Sequence, residues 1–180
     1  MRVTGGEPLV KRNILSLCEK AAAVPGVREL CLTTNGVLLP TFAQPLRAAG
    51  VRRVNISLDT LDPEKYERIT RIGDLNDALR GLDAALNAGF ERVKVNAVLI
   101  GGFNDDEIPA LADLTRRYPV DVRFIELMPM GTGDFDPGSF LAGDAVIKKL
   151  PELVKEPEDG SVARLYRLPG AQGRLGSSVP

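Results

Sequence analysis

The chain has 180 residues, with 23 lysines and arginines against 24 aspartates and glutamates, 44% hydrophobic residues, no histidine and no tryptophan. That length suits one domain able to bury roughly 70% of the surface its unfolded chain exposes. The lack of histidine excludes a Ser-His-Asp or Cys-His catalytic arrangement and any histidine-containing metal site within these residues. A net charge of −1 gives no overall electrostatic footprint for nucleic acid or an anionic membrane, although a local cation cluster can still hold phosphate. Cys18 and Cys31 are the only cysteines, belong to no CxxC pair, and fit neither a disulfide framework nor a complete cluster site. With no run of about 18 apolar residues and no signal-peptide pattern, a soluble chain of the reducing cytoplasm is expected.

Short apolar-rich segments alternate with segments of helical period. Arg2 to Thr4 reads as a strand, followed by a helix over Asn13 to Val24 with Ile14, Leu15, Cys18 and Ala22 on one face. Strand Glu29 to Thr33 leads to helix Pro40 to Ala49, and strand Arg53 to Leu58 to a short helix near Pro63 to Ile69. A longer helix over Asp74 to Ala88 carries the stripe Ala78, Leu82, Ala85 and Leu86. Strand Val93 to Val98, helix Asp105 to Tyr118 and strand Asp121 to Leu127 complete the regular part. Strands spaced by roughly 24 to 40 residues have the βα rhythm of a parallel sheet in sequential order. After Met130 the turn-rich pieces Gly131 to Gly133, Asp136 to Gly138 and Pro157 to Gly160 surround a helix at Gly143 to Leu150 and a weak strand pair, Leu153 to Glu156 and Ala163 to Leu168. Residues 1–130 therefore read as part of a barrel and 131–180 as the start of a C-terminal extension, with both ends looking like cuts.

Buried parallel strands are ordinarily apolar on both faces. Here Val54, Ile56 and Leu58 alternate with Asn55, Ser57 and Asp59, and Val93, Val95 and Ala97 with Lys94 and Asn96. Period-two alternation puts the apolar set against the helices and the polar set, with the cations Arg2 and Lys94, into the interior. A polar lining with two cations points to a polar or anionic ligand; the alternative is a sheet with one solvated face. On the last strand Arg123 and Glu126 fall on opposite faces, and Glu126 with Met128 is the pair expected to face inward.

Thr4-Gly5-Gly6-Glu7-Pro8 and Thr33-Thr34-Asn35-Gly36 both end strands, where barrel sites are built, although each also reads as a plain turn. Asn104 and Glu107 read as a helix capping box. Lys94 is open to three readings: a phosphate ligand, a Schiff-base lysine, or a partner of Asp59 or Glu126. Burial of its ammonium requires an anionic partner.

Arg2-Val-Thr-Gly-Gly-Glu-Pro8, Leu32-Thr-Thr-Asn-Gly36, Asn55-Ile-Ser-Leu-Asp59, Lys94-Val-Asn96 and Phe124-Ile-Glu-Leu-Met-Pro-Met130 together resemble the GTP 3′,8-cyclases, radical S-adenosylmethionine enzymes of molybdenum cofactor biosynthesis. The likeness runs in register from residue 2 to about 130 and more weakly beyond; the GGEP motif alone marks only the wider radical superfamily. The fold this implies is α/β, a partial (β/α)6 TIM-like barrel with five of its parallel strands plus the extension. The resemblance implies that Gly6, Ser57 and Met128 hold S-adenosylmethionine, that Glu7 shapes the pocket for its amino group, and that Arg2, Thr33 and Lys94 contact GTP. In that family a 4Fe–4S cluster reduces S-adenosylmethionine to a radical that takes hydrogen from C3′ of GTP. The new carbon radical then adds to C8, and a partner, cyclic pyranopterin monophosphate synthase, converts the product.

The family's two 4Fe–4S clusters are held by a CxxxCxxC loop and a later cysteine triad, and Cys18 and Cys31 match neither. No catalytic residue and no metal ligand is therefore assigned, and the chain alone is expected to be inactive. Other readings are a different radical S-adenosylmethionine enzyme, a nucleotide-binding module that has lost its cluster loops, or a Lys94 aldolase. An unprotected strand edge favours association, which leaves a homodimer open. Anaerobic reconstitution with iron and sulfide is expected to leave the chain well short of about four irons; recovery of a full complement would overturn the reading of its cysteines.

Overall fold

The computed structural model describes residues 1–127, 140–157 and 163–178. Strands β1 (Arg2–Val3), β2 (Leu30–Thr34), β3 (Val51–Ser57), β4 (Arg92–Leu99) and β5 (Asp121–Glu126) alternate with helices α1 (Ile14–Ala22), α2 (Leu39–Ala48), α3 (Pro63–Thr70), α4 (Leu75–Asn87) and α5 (Ile108–Arg117). Helix α6 (Asp144–Lys149) and strands β6 (Val154–Lys155), β7 (Ala163–Arg167) and β8 (Leu175–Ser178) follow. One eight-stranded sheet has the order β1-β2-β3-β4-β5-β8-β7-β6. The first five strands pair in parallel and in sequential order, as the βα rhythm implies. A sixth parallel strand, β8, lies beside β5, and β7 and β6 continue antiparallel from it. No described helix is long and apolar enough to cross a membrane.

Local chemistry sets the helix starts. Asp62 Oδ1 accepts the Glu64 and Lys65 amides ahead of Pro63, and Asp74 Oδ1 accepts the Asn76 amide, so α3 and α4 begin on carboxylate caps. The Asn104–Glu107 pair is not a capping box. Asn104 is fully buried; its Oδ1 accepts the Ile100 amide and its Nδ2 donates to the Asp59 and Val98 carbonyls. Glu107 instead accepts from the Thr60 hydroxyl and the Leu61 amide, tying the loop after β3 to the start of α5.

The helix-facing side of the sheet carries Leu32, Val54, Ile56, Val95, Ala97, Val122 and Phe124, all essentially inaccessible. On α4 the buried stripe is Leu75, Ala78, Gly81, Leu82 and Ala85, while Leu86 stays partly exposed. Gly81 is where α4 meets the turn after β2: a Cβ there would sit 2.0 Å from the Gly36 carbonyl oxygen. Gly36 itself has φ +86°, a conformation few other residues adopt. Gly81→Ala is expected to destabilise the fold by about 2 kcal/mol although alanine is the better helix former. Chemical denaturation measures it, and an unchanged or raised midpoint would contradict this packing.

Candidate functional site

Strand register arranges the other face of the sheet in layers. Arg2 lies beside Cys31 and Cys31 beside Arg53. The next layer is Thr33, Asn55, Lys94 and Asp121, and the one above it Ser57, Asn96 and Arg123, reaching Gly176 of β8. Val98 and Ile125 follow. Two of the concavities on this face hold the residues singled out in the sequence.

The first, about 310 Å³, is lined by Arg2, Arg53, Asn55, Lys94, Asn96, Arg123 and Ile125. Of its four cations, Arg53 pairs with Glu29 at 3.1 Å and donates from Nε to the Cys31 sulfur at 3.3 Å. Lys94 Nζ is 3.7 Å from Asp121, which also faces Arg174 at 3.6 Å and accepts the Arg174 amide. Among the described residues no ion pair holds Arg2 or Arg123. Burial pushes the Lys94 ammonium below its ordinary value; Asp121 opposes the shift, and Arg53, Arg92 and Arg123 add to it. Asn55 is 3% exposed, and its Oδ1 is buried without a donor among the described residues.

The second concavity, about 270 Å³, is lined by Gly6, Glu7, Thr33, Thr34, Asn35 and Ser57. Gly5 and Gly6 have φ of +105° and +52°, with no atom within 4 Å of where a Cβ would stand, so their backbone is open to a ligand. Glu7 fixes the loop: Oε1 accepts the Thr34 hydroxyl and the Leu9 amide, and Oε2 accepts the Asn35 amide at 2.7 Å. Asp59, two residues beyond β3, accepts the Val98 amide, and burial raises its carboxyl above its ordinary value.

The structure thus brings Arg2 and Lys94 together in one concavity and sets Thr33 with Gly6 and Ser57 in the other. Met128 lies outside the described residues. Two expectations are corrected. Arg123, not Glu126, faces the cavity: Arg123 pairs in register with Asn96, whereas Glu126 pairs with Leu99 and accepts the Gly143 amide at the start of α6. The anion beside Lys94 is Asp121, not Asp59 or Glu126. Sequence reasoning also passed over Arg53 and Asp121; Asp121 shares the parity of Arg123 and would have followed from placing it correctly.

Cys18 and Cys31 are both buried, on α1 and β2. Among the described residues no three histidine, cysteine, aspartate or glutamate side chains gather around a metal position. Cys18 and Cys31 lie on different elements, and the open Gly5-Gly6 backbone lies beside Ser57 and Thr33.

Because the folded value for Lys94 lies below its unfolded one, the unfolded chain binds more protons between the two, and stability rises with pH across that alkaline window. Lys94→Met is expected to flatten this rise. Denaturant midpoints followed upward toward the ordinary lysine value measure it, and identical slopes for both proteins would contradict the assignment.

The family model of the Radical SAM superfamily matches residues 1–115. GTP 3′,8-cyclase of Peptoclostridium acidaminophilum is 49% identical over 184 residues, covering 100% of this chain and 57% of the relative. GTP 3′,8-cyclase 1 of Pseudomonas aeruginosa is 48% identical over 186 residues, covering 100% and 56%. The chain therefore spans little more than half the length of these curated relatives. A solved domain of pyruvate-formate lyase-activating enzyme from Bacteroides vulgatus superimposes with a TM-score of 0.64 at 15% identity, over 98% of both chains. TYW1 with a lysine-pyruvate adduct bound gives 0.60 at 20% identity, over 91% of this chain and 51% of that one. Both likenesses concern the fold. With the polar-lined parallel sheet, the GGEP loop and a family match over residues 1–115, the chain belongs to the radical SAM superfamily.

Proposed function

We propose that the chain carries the nucleotide-binding wall and the S-adenosylmethionine loop of a GTP 3′,8-cyclase, acting in molybdenum cofactor biosynthesis. One observation carries the reading: Arg2, Lys94 and Arg123 converge on one cavity, two of them with no ion pair among the described residues, beside a second compartment built on an open glycine backbone. Cations held by a folded sheet without matching carboxylates are complementary to a polyphosphate. Relatives of this name, at 48% and 49% identity, support GTP as the nucleotide.

In this reading Arg2, Lys94 and Arg123 hold the triphosphate, the Gly6 backbone and the Ser57 hydroxyl hold S-adenosylmethionine, and Thr33 stands between the two. Glu7 already accepts three hydrogen bonds and keeps the loop open for the cofactor. Bound S-adenosylmethionine supplies, in this family, the carbon radical that removes hydrogen from the substrate. The chain's own contribution is to bind both molecules, align them and limit water between the walls. Its cysteines supply no cluster, so the segment by itself binds without turnover, and the product of the whole enzyme passes to a cyclic pyranopterin monophosphate synthase.

Calorimetric titration of the chain with GTP and with S-adenosylmethionine tests this. Each is expected to bind without displacing the other, and Lys94→Met to weaken GTP by about tenfold while leaving S-adenosylmethionine unchanged. Mutual displacement, or no GTP binding, would overturn it.

A further inference from the structure

Four cations and two carboxamides line the larger cavity, and one of the carboxamides does not fit a purely anionic ligand. Asn55 sits in the middle of β3, 3% exposed, between Thr33 and Lys94 in register. Its Oδ1 is a buried acceptor with no donor among the described residues. Buried acceptors are nearly always satisfied, and an exception calls for a missing partner. The nearest cation in register, Lys94, is turned to Asp121, and Arg53 is turned to Glu29 and Cys31. Phosphate oxygens satisfy Arg2 and Arg123 but offer nothing to an acceptor, because a polyphosphate ionised at neutral pH has few or no hydrogens to donate. The complementary ligand must bring an O–H or N–H together with its anionic oxygens.

Position narrows the donor. Asn55 is one strand, about 4.8 Å, from the Lys94 backbone, and two residues, about 6.6 Å, from Ser57 on the same face of β3. Asn55 lines the cationic cavity and Ser57 the glycine-loop compartment, so Asn55 stands where the two meet. In a nucleotide, the sugar is joined to the phosphate by a single ester linkage, and its hydroxyls are the donors nearest the charged oxygens. The donors of a base lie a further ring away.

We infer that Asn55 is a specificity-determining residue of the nucleotide site: its carboxamide oxygen accepts a hydrogen bond from a sugar hydroxyl and holds the sugar at the junction of the two compartments. This rests on reading the cavity as a polyphosphate site. A site built to bond a hydroxyl discriminates strongly against the ligand lacking it, because the buried acceptor is then left unpaired.

The test compares four ligands on the chain by calorimetry: GTP, its 2′-deoxy and 3′-deoxy forms, and inorganic tripolyphosphate. With the unchanged protein, at least one deoxy form is expected to bind about tenfold more weakly than GTP. Asn55→Ala is expected to lose that discrimination, weakening GTP while leaving tripolyphosphate within about twofold. Equal binding of GTP and both deoxy forms by the unchanged protein overturns the inference without reliance on any variant. A variant that binds deoxy forms and GTP with the original discrimination also overturns it. Tripolyphosphate bound while the sugar makes no difference would leave the polyphosphate reading standing and sink this one alone. Failure to bind tripolyphosphate and GTP alike would sink both.

Discussion

Several cations gathered on one face of a parallel sheet repel one another, and the rest of this molecule is arranged around that cost. At a typical near-surface dielectric, two like charges about 4 Å apart oppose each other by about 4 kcal/mol. The structure offsets the repulsion unevenly. Glu29 and the Cys31 sulfur hold Arg53, while Asp121 is shared between Lys94 and Arg174. Arg2 and Arg123 have no such ion pair among the described residues. What keeps the face together is the opposite side of the same strands, where Leu32, Val54, Ile56, Val95, Val122 and Phe124 are fully withdrawn from water beneath the helices. Alternation along each strand makes these two demands inseparable: every cavity side chain is flanked by a core side chain that fixes its direction.

The loops above the strands are held by polar side chains that bridge one βα unit to the next. Glu7 joins the glycine loop after β1 to the turn after β2. Asn104 links the end of β3, through the Asp59 carbonyl, to the end of β4, through Val98 and Ile100. Glu107 takes the Thr60 hydroxyl and the Leu61 amide, with Lys65 3.1 Å away. Each bridge uses an acceptor or carboxamide whose hydrogen bonds are almost all made inside the protein. A rigid rim of this kind keeps Ser57 and the Gly6 backbone at a fixed separation from the cationic wall.

Most of this was legible wherever alternation was clean. From Arg53 to Ser57 on β3 and from Arg92 to Ala97 on β4, polar and apolar residues alternate, and Asn55, Ser57, Lys94 and Asn96 faced the side that pattern required. On β5 the pattern fails, because Phe124 and Ile125 are both apolar and Arg123 and Glu126 are both charged; parity there is decided by register with β4 and by the Gly143 amide, neither of which is local. Strand β8 was unreadable for a related reason. Leu175-Gly-Ser-Ser178 has weak strand propensity, and pairing with β5 and β7 makes it a strand. The Asn104–Glu107 spacing satisfied a capping pattern, but the carboxamide went to the end of β4 because a fully buried Asn104 is surrounded by backbone groups needing partners.

The placement of the carboxylates gives the cationic wall a direction. Glu29 lies just before β2 and Asp121 is the first residue of β5, so both sit toward the N-terminal ends of their strands. A polyanion is repelled from that end even as Arg53 and Lys94 attract it, and the least compensated charge in the upper layer is Arg123, level with Ser57 and Asn96. Just beyond the C-terminal end of β3, burial raises the Asp59 carboxyl from its ordinary value, against the Val98 amide that lowers it. Arg53 and Lys94 are thus compensated while Arg123, one layer above Lys94, and Arg2, level with Arg53, have no ion pair among the described residues, so uncompensated positive charge extends along the cavity from its lowest layer to the layer of Ser57 and Asn96.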